Sequence, residues 1–186
     1  FQPTFGADIL DKTFAVGGKG TTKGWKYDIS YTAGSNEVDY TIGNTFNPSL
    51  GAASPTTFNG GGYKFASNVT NFDMGKQFGK VLLGFGSEFR NENFIAKAGE
   101  EASYINGGAQ SFPGLQPSNA INAKRYNVGF YTDVNIDVTE NFLIGGAARH
   151  ETYSDFGDNF SWKINGRYKF MDDKVSIRSS YSTGFR

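Results

Sequence analysis

The sequence predicts an all-β protein, an antiparallel up-and-down meander of about eight strands, and three observations carry that expectation. Apolar and polar residues alternate with a period of two over long stretches. No window of helical length places apolar residues at i, i+3, i+4 and i+7. Composition agrees: of 186 residues, 25 are Gly and 18 are Phe, and aromatics reach 16%, a mixture suited to strands and turns.

The elements follow in chain order. Trp25, Tyr27, Ile29 and Tyr31 share one parity and predict a half-buried strand. Between Tyr63 and Phe78 the apolar parity shifts, from Tyr63, Phe65 and Val69 to Phe72, Met74 and Phe78, which predicts a bulge or an upper half that leaves the apolar environment. Leu83, Phe85 and Phe89 mark the next strand. The clearest case runs from Tyr126 through Val128, Phe130, Thr132, Val134 and Ile136 to Val138, against Asn127, Gly129, Tyr131, Asp133, Asn135 and Asp137. Phe160, Trp162, Ile164, Tyr168 and Phe170 repeat the pattern, and Val175, Ile177, Tyr181 and Phe185 repeat it again opposite Ser176, Arg178, Ser180 and Ser182. One face of each strand is apolar and the other is wet.

Several function classes are excluded early. Basic and acidic residues number 18 each, so no net charge favours nucleic acid as a partner. There is no Cys, which removes thiol and disulfide chemistry, and the lone His150 cannot build a histidine metal site. No stretch approaches the roughly 18 apolar residues of a membrane-spanning helix, and the mean hydropathy is -0.45. No basic, then apolar, leader is visible at the start. The chain opens without Met and stops inside an apparent strand, so it reads as a portion of something longer.

The lengths of the connections alternate. Short turns are expected near Gly79 and Lys80, at 139–141 and at 171–173, with a Gly-rich one at 18–23; longer loops are expected at 43–62 and 98–122, with a compact one at 154–158. Short turns at one end and long loops at the other are how outer-membrane barrels are built. The aromatics fit: Trp25, Phe78, Phe142 and Phe170 lie beside the short turns with the apolar parity of their strands, as a lipid-facing girdle would. The polar face would then line the lumen, with Arg90, Arg149, Arg167 and Arg178 interleaved with Glu88, Glu151, Asp133 and Asp137, placed to pair across strands or to hold a plug.

Other motifs carry less. Residues 17–24 read Gly-Gly-Lys-Gly-Thr-Thr-Lys-Gly, but lack the Gly-Lys-Ser/Thr end and a following helix, so they predict a flexible turn and not a phosphate loop. Asn68 and Asn159 sit in sequons within strands. Glu100 with Glu101, and Asp172 with Asp173, read as solvated loop charges. Asp155 and Asp158 lack EF-hand spacing and predict an Asx-stabilised turn, with calcium left open. No catalytic constellation is found, and no metal or cofactor is expected.

Specific segments resemble a known family. Ser179-Ser180-Tyr181-Ser182-Thr183-Gly184-Phe185-Arg186 resembles the barrel motif of TonB-dependent receptors of Gram-negative outer membranes, which continues there into Ala-Pro. Residues 149–157, Arg-His-Glu-Thr-Tyr-Ser-Asp-Phe-Gly, are similar to the preceding hairpin of that family, with His150 in place of an aromatic. Residues 24–28, and 44–47 with 54–56, look like one branch of it. The resemblance implies a barrel of about 22 strands with a plug in its lumen. The chain would be one partial β-barrel domain over 1–186, with plug and remaining strands lying elsewhere in the parent. It implies an outer-membrane location, lipid as a partner, and contact with the TonB complex only through the plug.

The function implied is active uptake of a scarce ligand, an iron chelate, vitamin or saccharide, by a non-enzymatic receptor. Ligand contacts would come from the loop at 98–122, where Tyr104, Asn106, Gln110, Phe112, Gln116 and Asn119 offer rings and amides for stacking and hydrogen bonding. The alternative for this loop is an irregular segment packed on its neighbours. Two alternatives stand for the whole chain: a complete small barrel acting as adhesin or enzyme, and a soluble β-sandwich binding module.

Overall fold

The computed structural model describes residues 2–171 and 174–184. Asp172 and Asp173, and the Phe185-Arg186 end of the closing motif, lie outside the described residues. The strands are β1 (Thr4–Thr22), β2 (Trp25–Gly43), β3 (Thr57–Phe78), β4 (Val81–Lys97), β5 (Ile121–Asp137), β6 (Phe142–Tyr153), β7 (Gly157–Phe170) and β8 (Val175–Ser182). They form one sheet in the order β1 to β8, each hydrogen-bonded to its sequence neighbours. This is the antiparallel meander that the alternation predicts. Among the described residues β1 and β8 do not pair, so the strands form one open sheet and not a closed eight-stranded barrel or a two-layer sandwich.

Most boundaries sit near their expected places, with two corrections: the loop expected at 43–62 stops at residue 56 because β3 already runs from Thr57, and the first turn is shorter than expected. The Gly-rich run expected as a turn at 18–23 is strand as far as Thr22, and only Lys23 and Gly24 turn, with φ of 48° and 79°. Gly17 and Gly20 serve close packing instead, whereas Gly18 faces open space. A Cβ on Gly17 would stand 2.7 Å from the Ile29 carbonyl oxygen, and one on Gly20 would stand 2.3 Å from the Tyr27 hydroxyl. The long loops are 44–56 and 98–120. The second contains a one-turn helix, α1 (Glu101–Tyr104), and 3-10 turns at Ile105–Gly107 and Pro117–Asn119.

The chain divides into two compact units. The first comprises Phe1–Phe14, Ala33–Asn68 and Glu92–Lys124. Its small core is Ile42, Phe58 and Ala109, with Ala102 against it. In β3 the exposed residues run Tyr63, Phe65, then Asn68, with Ala66 and Ser67 both half-buried between them. The expected parity shift is therefore present, two consecutive residues taking the inner side as a bulge requires.

The second unit comprises Ala15–Thr32, Val69–Asn91 and Arg125–Arg186. Its register is explicit over β5 to β8: Val134 opposes Gly146, Gly146 opposes Ile164, and Ile164 opposes Tyr181. The adjacent row is Asn135, Gly145, Asn165 and Ser180. Burial here is inverted relative to a water-soluble sheet. Phe130, Phe160 and Ile177 are 60 to 62% exposed, whereas Asn127 on the other face is 3% exposed. Among the described residues, the buried apolar ones are only Ile42, Phe58, Ala96 and Ala109. A soluble domain of this length would enclose far more.

Candidate functional site

The polar face of the second unit is a connected network. Arg149 on β6 places its guanidinium 2.9 Å from Glu151 and 3.4 Å from Glu88 on β4, so it reaches across the whole of β5. Gly129 on β5 makes this crossing possible, since a Cβ there would lie 3.0 Å from Arg149 Nη2. Arg90 lies 2.9 Å from Glu88, and the Tyr153 hydroxyl donates to Glu151 at 3.3 Å. The same device recurs one strand earlier. Tyr131 on β5 donates its hydroxyl to Asp73 on β3, passing over Gly86 of β4, where a Cβ would stand 2.7 Å from the Tyr131 ring.

Each lumen-facing residue expected from the sequence can be placed. Arg90, Arg149 and Glu151 join the network just described. Asp133 accepts from Asn135 at 3.3 Å and leans over Gly84. Arg167 stands 4.0 Å from Asp137, and Arg178 lies directly opposite Arg167 in the β7–β8 register. Alternation had indicated the face but not the partners. The Gly that lets a long side chain cross a strand is visible in sequence only as a gap in the pattern.

The girdle residues fall into two contacts. Trp25 meets Phe78 edge-on at 5.8 Å and Phe85 at 5.8 Å. Lys76 spreads over both Trp25 and Phe78 and donates to the Lys23 carbonyl at 2.9 Å, its apolar stem covering the rings. Phe142 and Phe170 each touch Tyr168, at 6.3 and 6.4 Å. Tyr168 shares their parity but was not singled out.

The first unit holds two features that sequence reasoning missed. Phe5, Tyr40, Tyr63 and Phe94 form an aromatic ladder across β1 to β4, with centroid separations of 4.9, 6.0 and 5.9 Å. On the opposite side, Glu37 pairs with Lys64 at 3.1 Å and with Lys97, and Lys97 also reaches Asp39 at 3.0 Å. Tyr40 and Asp39 are neighbours in sequence, as are Tyr63 and Lys64, so rings and charges must take opposite faces.

The loops of this unit are built, not loose. Asn47 is fully buried: its Nδ2 donates to the carbonyls of Ala102 and Ile105 at 3.0 and 2.9 Å, and its Oδ1 accepts from Ser49. Thr45 Oγ1 donates to the Gln110 carbonyl at 2.8 Å, and the Gln110 N–H donates to the Phe46 carbonyl at 3.0 Å. Asn47 thus binds the end of α1 to the other long loop.

The six loop residues named for ligand contact separate accordingly. Gln116 donates its N–H to the Asn119 side chain at 3.2 Å, so these two serve a local turn. Phe112 packs 5.2 Å from Phe5, extending the aromatic ladder. Tyr104 is half-buried, and Asn106 and Gln110 are exposed. Glu100, expected to be merely solvated, accepts from the Asn59 N–H at 3.3 Å and so closes the loop base.

At the compact loop, Thr152 donates to Asp158 at 2.6 Å, and Asp155 stands 3.9 Å from Arg125. His150 lies 4.0 Å from Asp158 on the exposed side. Among the described residues no cluster of three acidic or His side chains is arranged to hold a metal ion.

A family model described as TonB dependent receptor-like, beta-barrel, matches residues 3–186. No curated protein matches the chain. Among solved structures, the RagAB peptide transporter superposes with a TM-score of 0.63 at 11% identity, over 97% of this chain and 23% of that one. A mutant of the ferric enterobactin receptor PfeA from Pseudomonas aeruginosa gives 0.67 at 14%, over 95% and 25%. The RagAB peptide importer in its open-open state gives 0.62 at 12%, over 97% and 22%. At these identities the likeness is one of fold. The chain spans about a quarter of the length of these solved structures.

Proposed function

Because the chain belongs to the TonB-dependent receptor β-barrel family, we propose that it supplies eight strands of the wall of an outer-membrane transporter in a Gram-negative bacterium. The observation that carries this reading is the inverted burial: large apolar side chains lie open on one face while charged and amide side chains interlock on the other. In water that arrangement leaves apolar area exposed with nothing to cover it. Against hydrocarbon it is the stable arrangement, because the strands satisfy their backbone groups laterally and present apolar side chains to lipid.

The parts then take roles. The Trp25 and Tyr168 clusters near the short turns sit at an interfacial belt of the bilayer, and the Phe5 to Phe94 ladder near the long loops presents rings suited to the same kind of environment. The Glu88–Arg149–Glu151 network stiffens the inner wall. The interlocked loops 44–56 and 98–120 face outward and contribute to ligand capture, with Asn106, Gln110 and Tyr104 as the side chains best placed among the six named. The wall performs no chemistry. A plug in the parent, linked to the TonB complex, would do the energised work. The ligand is a scarce solute such as an iron chelate, vitamin or saccharide.

Val134→Arg in the parent receptor tests this. Val134 shares the face of Phe130, and an Arg near the bilayer midplane costs about 2 to 4 kcal/mol. Heat-modifiable, folded receptor in the outer-membrane fraction should fall sharply. Near-normal assembly of the variant would contradict the assignment of faces.

A further inference from the structure

Lys76 is a charge on the apolar face of the sheet. On β3 it has the outward parity of Phe72, Met74 and Phe78, and its surroundings are the rings of Trp25 on β2, Phe78 on β3 and Phe85 on β4. A cation in a hydrocarbon-facing set is disfavoured unless its head reaches polar surroundings. β2, β3 and β4 are internal strands, each flanked on both sides, so the wall around Lys76 is described on either hand.

The side chain is held so that its head does reach such surroundings. Lys76 lies two residues inside the end of β3, roughly 7 Å of strand, yet its Nζ donates to the Lys23 carbonyl at 2.9 Å in the turn between β1 and β2. The ammonium sits 5.6 Å from the Trp25 ring centroid and 5.1 Å from that of Phe78, within range of attraction by both ring faces. Gly24, with φ of 79°, leaves room for the stem, since a Cβ there would stand 3.3 Å from Lys76 Cε. The charge is thereby fixed at the height of the short turns, where a bilayer places its headgroups.

Nothing in the wall neutralises it. An ammonium has three N–H donors, and the Lys23 carbonyl occupies one. Among the described residues no carboxylate lies within ion-pair distance of Lys76. The two turns beside it add Lys23 and Lys80, both exposed, and no acid: residues 21–24 read Thr-Thr-Lys-Gly and 77–80 read Gln-Phe-Gly-Lys. The turn between β5 and β6 has the opposite sign, with Glu140 and no Lys or Arg over 138–142. The positive charge therefore belongs to one arc of the rim. On the polar face, by contrast, Arg149 is clasped by two carboxylates.

We infer that Lys76, ringed by Trp25, Phe78 and Phe85, seats the headgroup phosphate of an anionic phospholipid in the leaflet at the short-turn end. The ammonium donates to the phosphate oxygens, and the rings lie beside the glycerol and the upper acyl chains. Lys23 and Lys80 favour a headgroup with net negative charge over a zwitterionic one. A lipid is the occupant because this face meets lipid, and an acidic protein segment would have to enter hydrocarbon to reach the same point. The inference rests on the reading of the chain as barrel wall.

The test uses the full-length parent receptor, assembled in membranes, selected for heat-modifiable material and reconstituted in phosphatidylcholine vesicles. The vesicles carry a trace of phosphatidylglycerol or of phosphatidylcholine, each with a diazirine at the same acyl carbon near the glycerol. After photolysis, peptide mapping reads the crosslink yield over residues 72–86. The seat predicts a higher yield from the phosphatidylglycerol probe, displaced saturably by unlabelled phosphatidylglycerol. Lys76→Gln should lower that yield about fivefold, as loss of one basic contact at an anionic lipid surface implies, and Lys76→Arg should keep most of it. Lys26→Gln removes a cation from the same end at a position of opposite parity to Trp25, and should leave the yield unchanged. Equal labelling by the two probes, an undiminished yield in Lys76→Gln, or an equal loss in Lys26→Gln overturns the seat. So does displacement by inorganic phosphate as effective as that by the lipid, which would make the occupant a free anion. Should Lys76→Gln fail to assemble, the two-probe comparison and the displacement in wild type still decide. A negative result in well-assembled receptor removes the seat and leaves the barrel reading standing, whereas that reading falls with near-normal assembly of Val134→Arg.

Discussion

Arg149→Met is the sharpest probe of the inner wall. The side chain joins Glu88 and Glu151, whose side chains are only 14% and 15% exposed. Among the described residues, removing it leaves Glu88 with Arg90 at 2.9 Å and Glu151 with the Tyr153 hydroxyl at 3.3 Å. The loss therefore falls mainly on Glu151. A charge-assisted hydrogen bond contributes about 1.5 to 3 kcal/mol, and breaking a fully buried pair costs about 3 to 5. Arg149 is itself 31% exposed, which weakens the interaction through solvent screening and sets the expectation at about 2 kcal/mol. The assay is urea unfolding of the parent receptor in lipid vesicles, with the shift in midpoint read at constant slope. Arg149→Met with Glu151→Gln should recover about half of the loss, because the orphaned charge is gone. A shift below about 0.5 kcal/mol for the single variant would refute the reasoning, since that is how a solvated surface pair behaves.

Other outcomes follow from the same contacts. Gly86→Ala places a Cβ 2.7 Å from the Phe72 carbonyl oxygen and from the Tyr131 ring, so the backbone must move and the Tyr131–Asp73 hydrogen bond is lost; assembly yield should fall, with Gly86→Ala, Tyr131→Phe no worse than the single variant. Asn47→Ala strands the carbonyls of Ala102 and Ile105 and frees the loop at 98–120. Limited proteolysis should cut that loop in the variant while the β-sheet signal by circular dichroism is retained, and equal cleavage of wild type and variant would count against a built loop layer.

Much of this was legible in the sequence, for identifiable reasons. β5, β7 and β8 announce themselves because their alternation is long and nearly regular, interrupted only by Gly166 in β7 and Ser179 in β8, and the observed register keeps each parity on one face. Trp25, Phe78, Phe142 and Phe170 are expected together as a girdle because each adjoins a short turn. The Phe5 to Phe94 ladder was not, because its four rings come from four strands and no single strand's alternation brings them together. The turn expected at 18–23 proves to be strand as far as Thr22, since a Gly such as Gly20 signals a turn and a close strand approach equally well. The loop-joining role of Asn47 could not be found, because the two carbonyls its Nδ2 binds lie 55 and 58 residues away and only the folded loops bring them together.

The account depends on which face of the sheet meets hydrocarbon. Nitroxide labels placed singly at each position from Phe160 to Arg167 in the membrane-assembled parent report this directly, through collision with lipid-soluble oxygen and with a water-soluble nickel chelate. The account predicts that oxygen contact peaks at Phe160, Trp162 and Ile164 and that chelate contact peaks at Ser161, Lys163 and Asn165, in strict alternation. Equal access of the chelate to both sets, or oxygen contact confined to the polar set, would contradict it.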